Sequence, residues 1–319
     1  MNAPVTHLVY SRDLGDVRRQ YARAAQRGHQ SRVSRGAYLR STVWQRLDGR
    51  QRHLALVHAV AETRRNAPVF SHWSAAAIHD LPIIGSWPER VHVIVGQTSG
   101  GRSRPGVVKH SLRIDDADVM EIDGMLVTTL ARTVIDLAVA ARVASSVTTA
   151  DAALHIDRVH PGPPLTTREA LLDLWERMQP FRGHAQALRV IEFADGLADT
   201  PIESLSRVNM HLIGAPEPEL QVEFHDYRGF VGATDFNWEQ YLLIGEADGD
   251  HKYIDPEYRN GRTAEEVVRD EKKREDRLRA LGRKISRWDW AIAISPSRLR
   301  AHLLDAGLPI PPQRRRPRG

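Results

Sequence analysis

Not one cysteine occurs in the 319 residues. That absence removes disulfides, zinc–thiolate centres and cysteine nucleophiles together, and it fits a reducing compartment. Long apolar runs are missing too: none approaches the roughly 18 residues of a membrane-spanning helix. The start, MNAPVTHLVYSRDLG, lacks the charged segment and apolar core of a secretory signal. A soluble, cytoplasmic protein with no membrane partner is expected. Lysine is scarce, so the basic side chains are overwhelmingly arginine. No internal repeat is visible, and His72, His79, His92 and His110 have no metal-binding spacing, so they read as structural.

What is present is ordinary globular composition, 41% hydrophobic and 27% charged, at a length that predicts two domains with room for a small third unit. Net charge is +5 and the sequence pI is near 9.7. Arginine makes planar, bidentate contacts to phosphate and to guanine edges. A genome biased toward arginine would raise the total by itself, so local clusters carry the argument.

The first cluster is RDLGDVRRQYARAAQRGHQSRVSRGAYLR, residues 12–40. Asp16 is a plausible N-cap for the helix VRRQYARAAQR, Gly28 ends it, and SRVSRGAYL follows as a β segment broken at Gly36. A basic helix followed directly by a basic ribbon is the arrangement of a winged helix. The helix would enter the major groove while the ribbon touches phosphates. Arg18, Arg19, Arg23 and Arg27 supply the helix charge, and Arg32 and Arg35 the ribbon charge. A solvated arginine-rich surface helix is the competing reading.

Three segments, GHQSRVSRGAYL, SHWSAAAIHDLP (71–82) and VTTLARTVIDLA (127–138), together resemble the AbiEi-type antitoxins of type IV toxin–antitoxin systems, over roughly residues 8–150. The resemblance implies a winged-helix DNA-binding segment followed by a mixed α/β domain, with a nucleotidyltransferase-type toxin as partner. Only about a dozen residues precede the recognition helix, so the motif's first helix would be short or absent. Between 50 and 150, amphipathic helices alternate with strands such as RVHVIV. The proline- and glycine-rich DRVHPGPPLTT marks a boundary, and TREALLDLWERMQ with GHAQALRVIEFA reads as a helical pair bridging to the last domain.

That domain opens with DTPIESLSRVNMHLIG: Thr200 as N-cap, Pro201 at the first helical position and Glu203 completing a capping box. Strands LQVEFHDY, VGATDFNW and YLLIGEAD follow, consistent with a meander. Alternation places Glu246 and Asp248 on one face, and Asp235 joins them if its strand presents that side. Three converging carboxylates are costly without a cation, and an all-oxygen set suits Mg2+ or Mn2+.

A helical Glu, a strand Asp, then Glu-x-Asp-Gly with a nearby His or Lys resembles the PD-(D/E)XK nuclease superfamily, in the branch related to very-short-patch-repair endonucleases. TDFNWEQYLLIGEADGDHKY carries most of the match, with DEKKREDRLRALGRKISRWDW (270–290) as the closing helix and strand. The resemblance implies Asp235 and Glu246 as metal ligands and Glu203 as an assisting acid, and strand alternation adds Asp248 as a third candidate ligand. Asp248 stands where lysine is usual. Lys252 is favoured over His251 as the returning base, because unbroken alternation would put it on the same face. Arg269, Lys272, Lys273 and Arg277 interleave with acids at i, i+4 spacing and read as a solvated face, with Arg269 or Arg274 on a phosphate as the other reading.

The expected organisation is α+β/α/β and multidomain: a winged-helix-like segment at 1–48, an antitoxin-like α/β domain at 49–156 and a helical linker at 157–195. A restriction-endonuclease-like αβββαβ domain would span 196–308, with a basic tail at 309–319. The expected function is DNA binding with metal-dependent phosphodiester hydrolysis. The alternative is a non-catalytic repressor or antitoxin that binds its own promoter. Substrate sequence and oligomeric state are not legible.

Overall fold

A computed structural model describes residues 8–64, 67–96, 105–157, 162–248 and 263–312. The chain divides into two compact units, one of residues 1–153 with 164–193, the other of 154–163 with 194–319. Both mix helices and sheet, as the composition and pattern predict.

The first unit begins with β1 (Val9–Tyr10), α1 (Arg18–Gln26), β2 (Gln30–Ser34), β3 (Ala37–Arg40) and α2 (Ser41–Arg46). The strands form a sheet in the order β1-β3-β2, antiparallel throughout. No helix precedes α1 among the described residues; a short 3-10 turn (Gly15–Val17) leads into it instead. Val17, not Asp16, holds the N-cap position, without a side-chain cap. Gly28 at φ 80° and Gly36 at φ 84° take the left-handed conformations that end the helix and turn the ribbon.

Next come α3 (Gly49–Thr63), β4 (Val69–Phe70), α4 (His72–Ile78), β5 (Val91–Val95), β6 (Val107–Ser111), β7 (Val119–Ile122) and β8 (Met125–Thr128). A five-stranded sheet runs β6-β5-β4-β8-β7, with β5/β6 and β4/β8 parallel and the other pairs antiparallel. Asp48 and Gln51 start α3 with a reciprocal capping box. α3 serves two cores. Ala55 and Ala59 pack with Val33, Ala37 and Leu39 under the ribbon, while Val57 and Val60 join Phe70, Val91, Val93 and Val127 under the larger sheet. Burial on two sides explains why its apolar residues do not form one stripe.

α5 (Leu130–Ala140), α6 (Val143–Leu154), α7 (Arg168–Met178) and α8 (His184–Phe193) complete the unit. The α7–α8 pair, expected as a linker, packs against α5 within it. Gln186 Nε2 donates to the carbonyl of Ala138 at 2.8 Å.

The second unit contains α9 (Pro201–Ile213), β9 (Glu219–Asp226), β10 (Gly229–Trp238), β11 (Leu243–Ala247), α10 (Ala264–Ala280), β12 (Lys284–Trp288), α11 (Trp290–Ala293) and α12 (Pro296–Asp305). Its sheet order is β12-β11-β10-β9. The pairs β9/β10 and β10/β11 are antiparallel, and β11/β12 is parallel, crossing over through α10. The third strand starts later than its apolar pattern predicts. Glu239–Tyr241 forms a 3-10 turn, and Leu242 takes φ 49° before pairing begins at Leu243.

One face of this sheet carries Phe236, Trp238 and Trp288; Trp288 Nε1 donates to Ser206 Oγ of α9 at 2.9 Å. Gly245 lies under the indoles, where an added Cβ would meet Trp288 at 2.6 Å. The other face carries Ile244 and Ile285 against Leu278 of α10. Glu246 and Arg287 share that second face by alternation.

Candidate functional site

The β10–β11 register pairs Phe236 with Gly245, and one further step sets Asp235 opposite Glu246. Asp248 follows two residues on, toward the same face. The carboxylates expected together are thus brought to one strand end. Asp235 Oδ2 accepts from the backbone N–H of Ala247 at 2.8 Å, which ties that end down.

Glu246 is only 5% exposed, and two arginines neutralise it. Arg274 donates Nη2 to Oε1 at 2.8 Å and Nη1 to Oε2 at 3.3 Å. Arg287, the parallel register partner of Glu246, brings Nη2 to 3.2 Å from Oε2. Arg287 also reaches Asp248 Oδ2 at 3.3 Å, Glu275 Oε2 at 3.4 Å, and Glu271. Arg274 reaches Glu271 at 3.0 Å and the Ala233 carbonyl at 2.7 Å, lying across Gly232 where a Cβ would meet its Nε at 2.5 Å. Burial works against the Arg287 charge, but the hydrogen bond to Glu271 and the fields of Glu246, Glu271 and Asp248 raise its pKa above the ordinary value.

Four carboxylates (Glu246, Asp248, Glu271, Glu275) therefore gather around Arg274 and Arg287, and Arg279 adds a third guanidinium on Glu275 at 2.6 Å. The donor types suit Mg2+ or Mn2+, yet both oxygens of Glu246 are taken by arginine. Among the described residues no group of three or more His, Asp or Glu side chains is set to hold a metal ion. In this arrangement arginines stand where an ion would have to approach Glu246.

Glu203 lies on α9, against the sheet face opposite Glu246. Its Oε2 accepts from Asp199 N at 2.9 Å and Gln221 Nε2 at 3.0 Å, and its Oε1 from Thr200 Oγ1 at 2.6 Å. The reciprocal bond of a capping box is not formed, since Glu203 accepts from Asp199 N rather than Thr200 N, but these contacts tie a residue that is 4% exposed to the start of α9 and to β9. Lys252 and His251 lie outside the described residues. The charged face of α10 is not merely solvated: Arg277 binds Asp226 with Nη2 to Oδ1 at 2.6 Å and holds that carboxyl at about 2.

The basic cluster is arranged differently. Arg19, Arg23 and Arg27 recur every fourth residue, so they form one stripe along and just past α1. They are exposed, as are Arg32 and Arg35 on the ribbon. Among the described residues none of these five forms an ion pair or side-chain hydrogen bond. Some arginines elsewhere in the unit are paired, as Arg12 is with Glu62 and Arg50 with Asp80, while Arg40, Arg46 and Arg90 are exposed with no such partner among the described residues. Arg18 opens α1, and its side chain lies outside the described residues.

A third cluster escaped the sequence reading. His72, His92 and His110 meet in the first unit, with His72 and His110 stacked at 3.6 Å between ring centroids and His92 Nδ1 2.9 Å from His110 Nε2. Beside them lies Arg132, 1% exposed, with Nε to Asp136 Oδ1 at 3.0 Å and Nη1 to Asp118 Oδ2 at 3.1 Å. The available signal was the i, i+4 pair Arg132 and Asp136 within the apolar helix LARTVIDLAVA, since charges on a buried face need partners.

The geometry defines a two-unit α/β protein with an arginine-lined helix and ribbon, and an acidic strand end closed by arginines. No protein-family model matches the chain. It is similar to two Mycobacterium tuberculosis proteins, Uncharacterized protein MT2308 and Uncharacterized protein Rv2248. Each is 32% identical over 149 residues, which is 46% of this chain and 52% of the relative. The chain thus spans about half the length of the curated relatives it matches. No helix among the described residues is long and apolar enough to cross a membrane.

Proposed function

We propose that this chain is a DNA-binding protein that grips the duplex backbone with α1 and the β2–β3 ribbon in the manner of a winged helix. The observation that carries this reading is the set of five exposed arginines without partners. Solvated guanidiniums on one helix stripe and the adjoining ribbon repel one another, and phosphates relieve that repulsion while releasing counterions. The nine residues of α1 span about 14 Å, enough to lie along a major groove. The test is a mobility shift with duplex DNA. The wild type should retard it, and a protein carrying Arg23→Glu and Arg32→Glu should not. Equal retardation by both would reject the reading.

A second reading concerns the C-terminal unit. Its order α9-β9-β10-β11-α10-β12, with a parallel closing pair and Asp235 opposite Glu246, supports a restriction-endonuclease-like module. Asp235, Glu246 and Asp248 would be its ligands for Mg2+ or Mn2+. The grip of Arg274 and Arg287 on Glu246 favours a module that binds without cutting, as a promoter-bound antitoxin beside a nucleotidyltransferase-type toxin would. Plasmid nicking in Mn2+ decides between them. Nicking lost on Asp235→Ala establishes the nuclease, and no nicking by the wild type establishes the binding module.

A further inference from the structure

The histidine cluster borders a cavity of about 530 Å3 that lies wholly within the first unit. This volume falls in the roughly 300–1,000 Å3 range of small-molecule sites. Ile135 is fully buried and lines it together with Val139, Met178 and Phe181, while Leu112 and Ala140 are exposed at its rim. The space is apolar inside and open to solvent at the rim.

The charges around it do not cancel. Four arginines and three aspartates line the cavity. Arg132 holds Asp136 and Asp118, Arg177 takes the second oxygen of Asp118 at 2.7 Å, and Arg113 stands 3.4 Å from Asp115. Arg182 is exposed and makes no hydrogen bond or ion pair among the described residues. Burial lowers His72 and His110, so both imidazoles are neutral near pH 7 and add no charge. One guanidinium is left over at the edge of an apolar space, and it complements a monoanion.

A second polar group of the lining lacks a partner. His72 is only 4% exposed, and Ser71 Oγ engages its Nδ1 at 3.0 Å, but its Nε2 makes no hydrogen bond among the described residues. Asp136 Oδ2 is sealed from solvent, whereas this nitrogen keeps accessible surface on a residue that lines the cavity. A buried imidazole nitrogen without a partner marks a place for one. His72 holds its ring there from a left-handed backbone at φ 51°, a conformation costly for any residue but glycine and one that clusters at binding sites. The stacked rings of His72 and His110, with the ring of Phe181, suit a planar body.

We propose that this cavity takes a hydroxylated aromatic monocarboxylate: the ring fills the apolar space, the hydroxyl meets His72 Nε2, and the carboxylate meets Arg182. A hydroxyl both donates and accepts, so it satisfies Nε2 in either tautomer, which a carbonyl or an ammonium group does not. One unmatched guanidinium suits one negative charge, and a carboxylate accepts its planar fork. Neither α1 nor the β2–β3 ribbon contributes a residue to the cavity, so the site stands independently of DNA binding.

Calorimetric titration of the full chain near neutral pH with para-hydroxyphenylpropionate, phenylpropionate and the amide of the hydroxy acid tests this. The hydroxy acid should bind, and loss of its hydroxyl should weaken binding by roughly fivefold, the factor for one ordinary hydrogen bond. The neutral amide should bind roughly threefold more weakly, because the rim guanidinium is exposed and screened. Arg182→Glu changes an exposed side chain without partners, so the unfolding temperature should stay unchanged. It should weaken the acid by about tenfold, as attraction becomes repulsion, and leave the amide unaffected. The proposal is overturned if the hydroxy acid does not bind, if phenylpropionate binds as tightly, or if Arg182→Glu binds the acid like the wild type.

Discussion

Lowering the pH from about 6.5 to about 5 should destabilise the first unit. His72 and His92 are 4% and 8% exposed, and burial followed by the field of His110 lowers both, His92 to about 3. A histidine held neutral costs nothing above its ordinary pKa. Below about 6.5 the unfolded chain takes up a proton that the folded chain refuses, so stability falls as pH falls. A site that stays neutral in the folded state loses roughly 1.6 kcal/mol between about pH 6.5 and about pH 5, as His92 does, and about 3 kcal/mol is lost if His72 stays neutral too. Asp136 acts with the opposite sign. Burial raises it to about 6 against the pull of Arg132, so the folded state binds a proton there first as pH falls. That returns about 1 kcal/mol over the same window, leaving a net loss of about 2 kcal/mol. At roughly 2–4 °C per kcal/mol for a unit of this size, the melting temperature should drop by about 4–8 °C. Circular dichroism melts at the two pH values read it, and His92→Gln should remove about half of the histidine contribution. His53, His58, His79 and His110 are lowered as well, so the drop is a minimum. A melting temperature that is flat or rises over this window would refute the reasoning.

Other perturbations have equally definite outcomes. Arg132→Met strands Asp136 without a cation and leaves Asp118 with Arg177 alone, and should cost about 3–5 kcal/mol in denaturant melts; a loss below about 1 kcal/mol would show that the triad is not buried as a unit. Gly245→Ala drives a methyl to 2.6 Å from Trp288 and should cost about 1–3 kcal/mol, seen as a lower midpoint with an unchanged slope. Glu203→Ala removes the cap interactions at the start of α9 and should cost about 0.5–2 kcal/mol. If Glu203 serves only α9, Glu203→Gln, which keeps acceptor capacity, should recover part of that stability with any nicking activity unchanged; lost nicking in a stably folded Gln variant would place it at the acidic site.

Local chemistry was readable from the chain. Thr200 and Pro201 announce α9, and Gly28 and Gly36 mark turns, because each signal is a hydrogen bond or a backbone angle set within a few residues. The convergence of Asp235, Glu246 and Asp248 on one face followed from alternation. What those carboxylates touch did not follow. Arg274 reaches Glu246 across 28 positions, and Arg277 reaches Asp226 across 51, whereas helical spacing suggested neighbours on α10. The amphipathic α7–α8 pair looked like a bridge because a stripe does not state what covers it; α5 does. His72, His92 and His110 come from three elements, and no spacing rule joins them.

The central claim is that unpaired arginines on α1 and the ribbon bind duplex phosphates. Its most direct test is the salt dependence of duplex affinity, measured by fluorescence anisotropy. Each neutralised phosphate adds about 0.9 to the slope of log affinity against log salt. If Arg19, Arg23, Arg27, Arg32 and Arg35 all contact the backbone, the slope should be about −4.5 or steeper. Replacing Arg19, Arg23 and Arg27 with Ala should flatten it by about 2.7. A wild-type slope near zero, or a slope unchanged by the triple substitution, would contradict the account.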